Sequence, residues 1–251
     1  CLTAVRRSLD DALVDDRMGF VISKLERLAF RSTFDPETAT GDVAYNLTIV
    51  PDEIFEPVSE RFDKVRDSGC SFFSGYSVID RDPRVPSGHS GILTVCSITM
   101  DGVFQHNGIP VRVAYGGTIQ IENKKPTRFT NIIGYQGSTV DSLQLFIGAG
   151  LTSITDYINT GTGLLLANVR QIPGAAEERG QDLIEKMQGC GFRFPLTMGK
   201  GRIFNLLTDP HRISLVSFSG MNSIGCAAEA GYKLKTEIGA GTIPFSRVVD
   251  R

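Results

Sequence analysis

Apolar and polar positions first alternate at Val43, Tyr45, Leu47 and Ile49, the two-residue period of a half-buried strand. The period then lengthens. Ile54, Phe55, Val58, Phe62 and Val65 fall on one face of a helix that Asp52 would cap and Ser68-Gly69 would stop, with Pro57 placed to kink it. Two short strands are expected next, Phe72 to Ile79 and Ile92 to Thr99. A tight turn at Gly102, a short helix ending near Gly108 and a last strand through Gly117-Thr118-Ile119 complete the run.

The run occurs twice. Gly41-x4-Asn46-x4-Pro51 recurs as Gly163-x4-Asn168-x4-Pro173, 122 residues later, each preceded by a threonine, Thr40 or Thr162. Leu164, Leu165, Leu166, Val169 and Ile172 fill the second strand, and Ala176, Leu183, Ile184 and Met187 give the second helical stripe before Gly189 and Gly191. Phe192 to Thr197 and Ile213 to Ser219 then match the two short strands. A turn at Gly220 and a helix ending near Gly231 follow, and Gly241-Thr242-Ile243 answers Gly117-Thr118-Ile119. The order β-α-β-β-α-β is that of a ferredoxin-like unit. The expected fold is therefore α+β: two tandem ferredoxin-like lobes from an internal duplication, about 38–120 and 160–245, joined by a segment 121–159. The helices are too few and too short for a doubly wound sheet.

The joining region has a pattern of its own. Thr118 to Glu122 and Arg128 to Tyr135 read as strands about a turn at 121–127, and Leu143 to Ile147 and Leu151 to Ile158 as helical. Ahead of the first copy, Leu9 to Arg17 is polar and acidic. Gly19 to Ser23 predicts a strand, and Glu26 to Phe30 a helical turn.

Composition narrows the function. The 251 residues are 41% apolar and 22% charged, ordinary for a globular chain, and no apolar run approaches the ~20 residues of a membrane span. A net charge of −2 does not suit a domain that grips DNA phosphates itself. Five cysteines, an odd number without a CxxC pair, point away from a disulfide framework or zinc ribbon and toward a reducing, cytoplasmic setting. His89, His106 and His211 show no metal-ligand spacing.

Catalytic motifs are missing. There is no GxxxxGK[ST] loop and no GxSxG elbow, and Thr160-Gly161-Thr162-Gly163 precedes a strand where a dinucleotide site needs a helix. Cys96, with Ser97 and Thr99 near it, has no histidine at a telling spacing. It reads more readily as a small buried hydrophobe than as a nucleophile. No catalytic residue, metal or cofactor is expected. A ligand site is easier to build. Turns at Asp101-Gly102 and Gly220 to Ser223 would offer free backbone N–H groups, and Arg112 and Arg128 lie near Gly116-Gly117, where backbone can approach an anion.

Several stretches carry a resemblance. Gly19-Phe20-Val21-Ile22-Ser23-Lys24, Leu28-Ala29-Phe30-Arg31 and Thr33-Phe34-Asp35-Pro36-Glu37-Thr38 come first, and Val95-Cys96-Ser97-Ile98-Thr99 and Gly108-Ile109-Pro110-Val111 follow. Further on stand Gly116-Gly117, Arg128-Phe129-Thr130, Ile132-Ile133-Gly134-Tyr135 with Gly137, Thr139 and Asp141, then Leu166-Ala167-Asn168, Ile172-Pro173 and Gly220-Met221-Asn222. Together they resemble the regulatory domain of the nitrogen-regulation repressor (NrpR) family, from about residue 17 to the end. The resemblance implies an effector-sensing domain of a repressor of nitrogen-assimilation genes that binds 2-oxoglutarate and thereby releases DNA. It also implies DNA contact only through a winged-helix domain outside this chain, with residues 1–16 as the remnant of the link to it, and a homodimer. Ser142, Ser219 and Ser223 stand where the family pattern leads to proline or glycine. The effector site is expected between the lobes, at Cys96, Ser97, Thr99, Gly116, Gly117, Arg128 and Thr130, with Arg128 forking onto a carboxylate. Two other function classes stay open: an amino-acid-binding module of the ACT type, and an enzyme using Cys96.

Overall fold

The computed structural model describes residues 21–79, 82–136 and 141–249. Expectations for residues 1–20, including the polar segment and the linker remnant, lie outside the described residues, as do Gly137 and Thr139. The described chain opens with α1 (Val21–Arg31), one helix where a strand and a separate turn were expected. Leu25, Leu28 and Ala29 form its buried stripe, a helical period that the apolar run around Val21 obscured.

The first half continues with β1 (Asp42–Pro51), α2 (Phe55–Ser68), β2 (Tyr76–Ile79), β3 (His89–Val95), α3 (Ile98–His106), β4 (Arg112–Glu122) and β5 (Lys125–Gly134). The short helices α4 (Ser142–Gly148) and α5 (Ile154–Thr160) lead to the second half. That half holds β6 (Gly163–Pro173), α6 (Glu177–Gly189), β7 (Thr197–Gly199), β8 (Arg202–Ile203), β9 (Leu206–Leu207) and β10 (Arg212–Phe218). It ends with α7 (Asn222–Glu229), β11 (Lys235–Pro244) and α8 (Ser246–Val249).

The chain is a mixed α/β protein with antiparallel sheets. One sheet runs β11-β1-β3-β2, the other β5-β4-β6-β10-β7, and a hairpin pairs β8 with β9. Neither large sheet is built from one half alone. The place beside β1 is taken by β11, with Asp42 opposite Pro244, and the place beside β6 by β4, with Ile121 opposite Gly163. The helices are shared in the same way: α2 packs on α7, and α3 on α6. The largest buried cluster accordingly spans both sheets, joining Leu47 and Val95 to Ile172 and Leu215 around Phe72, Phe104, Phe192 and Phe194. Both halves thus contribute side chains to the same cluster.

Several local expectations shift, each for a physical reason. Asp52 does not cap α2; its carboxylate accepts the Ser90 hydroxyl at 2.9 Å, and a 3-10 turn at Asp52–Ile54 leads into the helix. Pro57 is the third residue of α2, where a helical amide has no partner to lose, so it need not kink the helix. Gly69 ends the helix at φ 75° as a left-handed cap. The strands expected at 72–79 and 192–197 shrink to β2 and β7, with Phe73 and Phe192 meeting in a single bridge between aromatic side chains packed inward. The strand expected through Thr99 stops at Val95. Gly102 is no turn but lies within α3, where a β-carbon would collide with the Ala29 carbonyl of α1. The missing side chain lets those two helices touch backbone to backbone.

The β8–β9 hairpin leaves the sheet at β7 and reaches the opposite edge. Asn205 Nδ2 donates to the Phe129 carbonyl and the Phe129 N–H to Asn205 Oδ1, both at 2.9 Å, so one side-chain amide occupies the open side of β5.

Candidate functional site

At the C-terminal end of β3 the chain turns through Cys96-Ser97 into α3, and at the end of β10 through Ser219-Gly220-Met221 into α7. These turns line one small cavity between the sheets, of about 20 Å³, enough for a water molecule. The N-termini of α3 and α7 converge on it, bringing the positive ends of two helices. Met221 N–H is already taken by Ser219 Oγ at 3.0 Å.

The wall carries a buried ion pair. Arg170 on β6 and Asp101 in the first turn of α3 are each 2% exposed. Arg170 Nε donates to Asp101 Oδ1 at 3.1 Å and Nη2 to Oδ2 at 3.2 Å, and Nη2 also reaches Ser97 Oγ at 3.1 Å. Arg170 Nη1 is buried and has no hydrogen-bond partner. Burial opposes charge on the guanidinium, but the Asp101 carboxylate outweighs it and holds the arginine above its ordinary pKa. Arg170 is thus a fixed cation with one donor nitrogen unused.

Asp141 faces the same cavity. Its Oδ1 accepts the N–H groups of Leu143 at 2.8 Å and Gln144 at 3.3 Å, capping α4. Burial raises its pKa, opposed by those two N–H donors, Arg170 and Lys24. Asn168 Oδ1 accepts the Tyr135 hydroxyl at 3.4 Å, and Asn46 Oδ1 accepts Gly239 N–H at 3.1 Å, so both side chains hold the cavity's rim in place. Burial pushes the Cys96 thiol up to about 11, which suits a packing residue and not a thiolate nucleophile.

Two residues expected at the site, Cys96 and Ser97, do line this cavity. Thr99 is fully buried in the first turn of α3 and turned toward β1. Gly116 stands behind the wall, opposite Asn168, where a β-carbon would collide with Ser142 Oγ and Tyr135 Oη. Gly117, beside it, leaves room for the Asn131 carbonyl. Arg128 and Thr130 are on β5, the outer strand. Arg128 is exposed and donates from Nε to Gln120 Oε1 at 2.9 Å, and Thr130 Oγ1 is 2.8 Å from Thr118 Oγ1. Strand order therefore separates these two from the cavity. The arginine the site does hold, Arg170, is a charge inside the otherwise buried strand Leu164–Ile172, and that misfit is the signal that marks it. Asp101 is the matching misfit in the apolar turn of α3.

The cavity offers a guanidinium donor, two serine hydroxyls, two helix N-termini and the Asp141 carboxylate, a set that can pair with charged groups of either sign. Among the described residues no three of His, Cys, Asp or Glu gather as a metal site, and no helix is long and apolar enough to cross a membrane.

A family model described as NrpR regulatory domains NRD1 and 2 matches residues 18–250. The chain is 35% identical over 247 residues to a global nitrogen regulator NrpRI of Methanosarcina mazei, covering 96% of this chain and 75% of that protein. It is 31% identical over 163 residues to a global nitrogen regulator NrpR of Methanococcus maripaludis, covering 64% of this chain and 30% of the relative. A third relative, NrpR of Methanocaldococcus jannaschii, is 25% identical over 212 residues, 83% of this chain and 35% of its own. The chain thus spans about a third of these last two relatives. The crystal structure of a nitrogen repressor-like protein from Methanococcus jannaschii superposes with a TM-score of 0.73 at 22% identity, covering 90% of this chain and 96% of that one.

Proposed function

Because the chain belongs to the family of NrpR regulatory domains, we propose that it is the effector-sensing part of a transcriptional repressor of nitrogen-assimilation genes, and that its effector is 2-oxoglutarate bound at Arg170. The observation that carries the site is the unused Nη1 of Arg170, buried at the meeting point of two helix N-termini. A carboxylate there completes the guanidinium, and Ser97 Oγ, already within 3.1 Å of Arg170, is placed to bond the adjacent keto oxygen. Residues 17–251 act as one regulatory unit, in the cytoplasm and as a homodimer, with DNA contact made by a separate domain. The two halves are read as diverged copies of one β-α-β-β-α-β unit. The support is that β1, α2 and their linking 3-10 turn recur at β6, α6 and Gly174–Ala176.

Isothermal titration with 2-oxoglutarate, glutamate and glutamine tests the effector. Heat from 2-oxoglutarate alone is expected; no heat from any of them at millimolar concentration sinks the reading. One observation favours a second reading. Asp141 gives the cavity a carboxylate beside its guanidinium, the pair an amino acid's ammonium and carboxylate would use. Tighter binding of glutamate or glutamine than of 2-oxoglutarate would favour that ACT-type role.

A further inference from the structure

The cavity is too small for a five-carbon dicarboxylate, yet a larger space adjoins it. A groove of about 470 Å³ runs between α1, the outer end of α3 and the start of β4, within the size range of small-molecule sites. Ala29, Val111 and Val113 give it apolar walls, and Glu26, Gln105, Gln136, Arg112 and Arg212 give it polar and charged ones, Arg212 being paired with Asp209. Leu25 lines both spaces. The ion pair also stands between them: Asp101 belongs to the groove wall, and its partner Arg170 to the cavity wall.

We propose that groove and cavity are the two halves of one ligand site, with Arg112 as the anion-binding group of the outer half and Leu25 as the partition. This rests on the reading that the effector's first carboxylate sits at Arg170. The ligand class follows: a small molecule with an α-keto acid head for the cavity and a second anionic end for the groove. Arg112 is suited to that end. It is exposed, and its Nη2 donates at 3.0 Å to Gln136 Oε1, a neutral acceptor that a carboxylate would displace. On β4, Arg112 pairs with Gln171 and its neighbour Val113, which also lines the groove, pairs with Arg170. Leu25 is buried on α1 against Cys96, Ile98 and Tyr135. A ligand that spans both halves must shift this side chain, and with it the helix.

The test compares 2-oxoglutarate with 2-oxobutyrate, which keeps the keto acid head and lacks the distal carboxylate. In calorimetry on the whole chain, Arg112→Gln is expected to weaken 2-oxoglutarate about tenfold and to leave 2-oxobutyrate unchanged. Equal weakening of both probes, or of neither, overturns the proposal. Leu25→Ala is expected to speed 2-oxoglutarate association in stopped flow. Should that variant not fold, the Arg112 comparison still decides. If wild-type protein binds neither probe, the effector reading itself falls; if it binds both and Arg112→Gln does not separate them, only the outer half falls.

Discussion

Thr99 and Asn222 make the same connection in opposite halves. Thr99 Oγ1 accepts the N–H of Ala44 at 3.0 Å and donates to its carbonyl at 3.3 Å; Asn222 Oδ1 accepts the N–H of Leu166 at 2.8 Å, and its Nδ2 donates to that carbonyl at 3.1 Å. Each side chain lies in the first turn of a helix and clasps the central strand of a sheet. Both are 0% exposed, so the N–H each one serves has no water to turn to. Thr99→Val keeps the shape and strands the Ala44 N–H, which should cost about 1–3 kcal/mol. Asn222→Leu should cost more, because Asn222 also donates to the Cys70 carbonyl at 2.7 Å. Urea unfolding of the two variants checks both the loss and its order.

The Arg170–Asp101 pair should behave as a buried pair that is worse broken than absent. Asp101→Asn leaves the guanidinium uncompensated and is expected to cost about 3–5 kcal/mol. Replacing both, as Arg170→Met with Asp101→Leu, should restore much of that stability while abolishing 2-oxoglutarate binding. A double variant that unfolds as readily as the single one would show that the charges hold the fold and do more than equip the site.

Asp141 should contribute a pH dependence to binding, alongside Asp101, whose pKa burial also raises. The Asp141 pKa is raised in the folded protein, chiefly by burial, against Leu143 and Gln144 N–H, Arg170 on β6 and Lys24 on α1. A dianion binds best when Asp141 is protonated and neutral, so affinity for 2-oxoglutarate should tighten as pH falls through that raised value. An amino acid needs the ionised form for its ammonium, so its affinity should fall over the same interval. Asp141→Asn, which keeps an N-cap, should flatten either profile in calorimetry at several pH values.

Cys96 should be slow to alkylate. With its thiol at about 11 and 7% exposed, Cys96 should react with iodoacetamide at neutral pH only on unfolding, after the half-buried Cys190. Fast modification of Cys96, read by peptide mass, would reopen the enzyme reading.

Much of the fold was legible because local chemistry wrote it. The Gly69 cap and the α2 stripe each depend on residues a few positions apart, whereas β1, expected to be half-buried, is covered on both faces because helices and the second sheet pack on it. The closure of the sheets was not legible, since nothing near β4 says that its partner is β6 and not β1; pairing of distant strands is decided by the assembled core. The site was half legible for the same reason. Cys96 and Ser97 are legible from their turn, whereas Arg128 is close in sequence to Gly116-Gly117 but lies on the outer strand. Arg170 was passed over inside an apolar run, where a charge should have stood out as needing a partner.

The borrowed strands also govern the order in which the protein can be made. β1 is synthesised well before its neighbour β11; the hydrogen bond from Gly239 to Asn46 closes across 193 residues. Until then one side of β1 has no ladder, and neither half can finish as an independent folding unit. Folding must therefore wait for β11, at the slow pace of a topology rich in distant contacts. A polypeptide cut short before Lys235 would carry an open, apolar strand edge, the kind that recruits other chains.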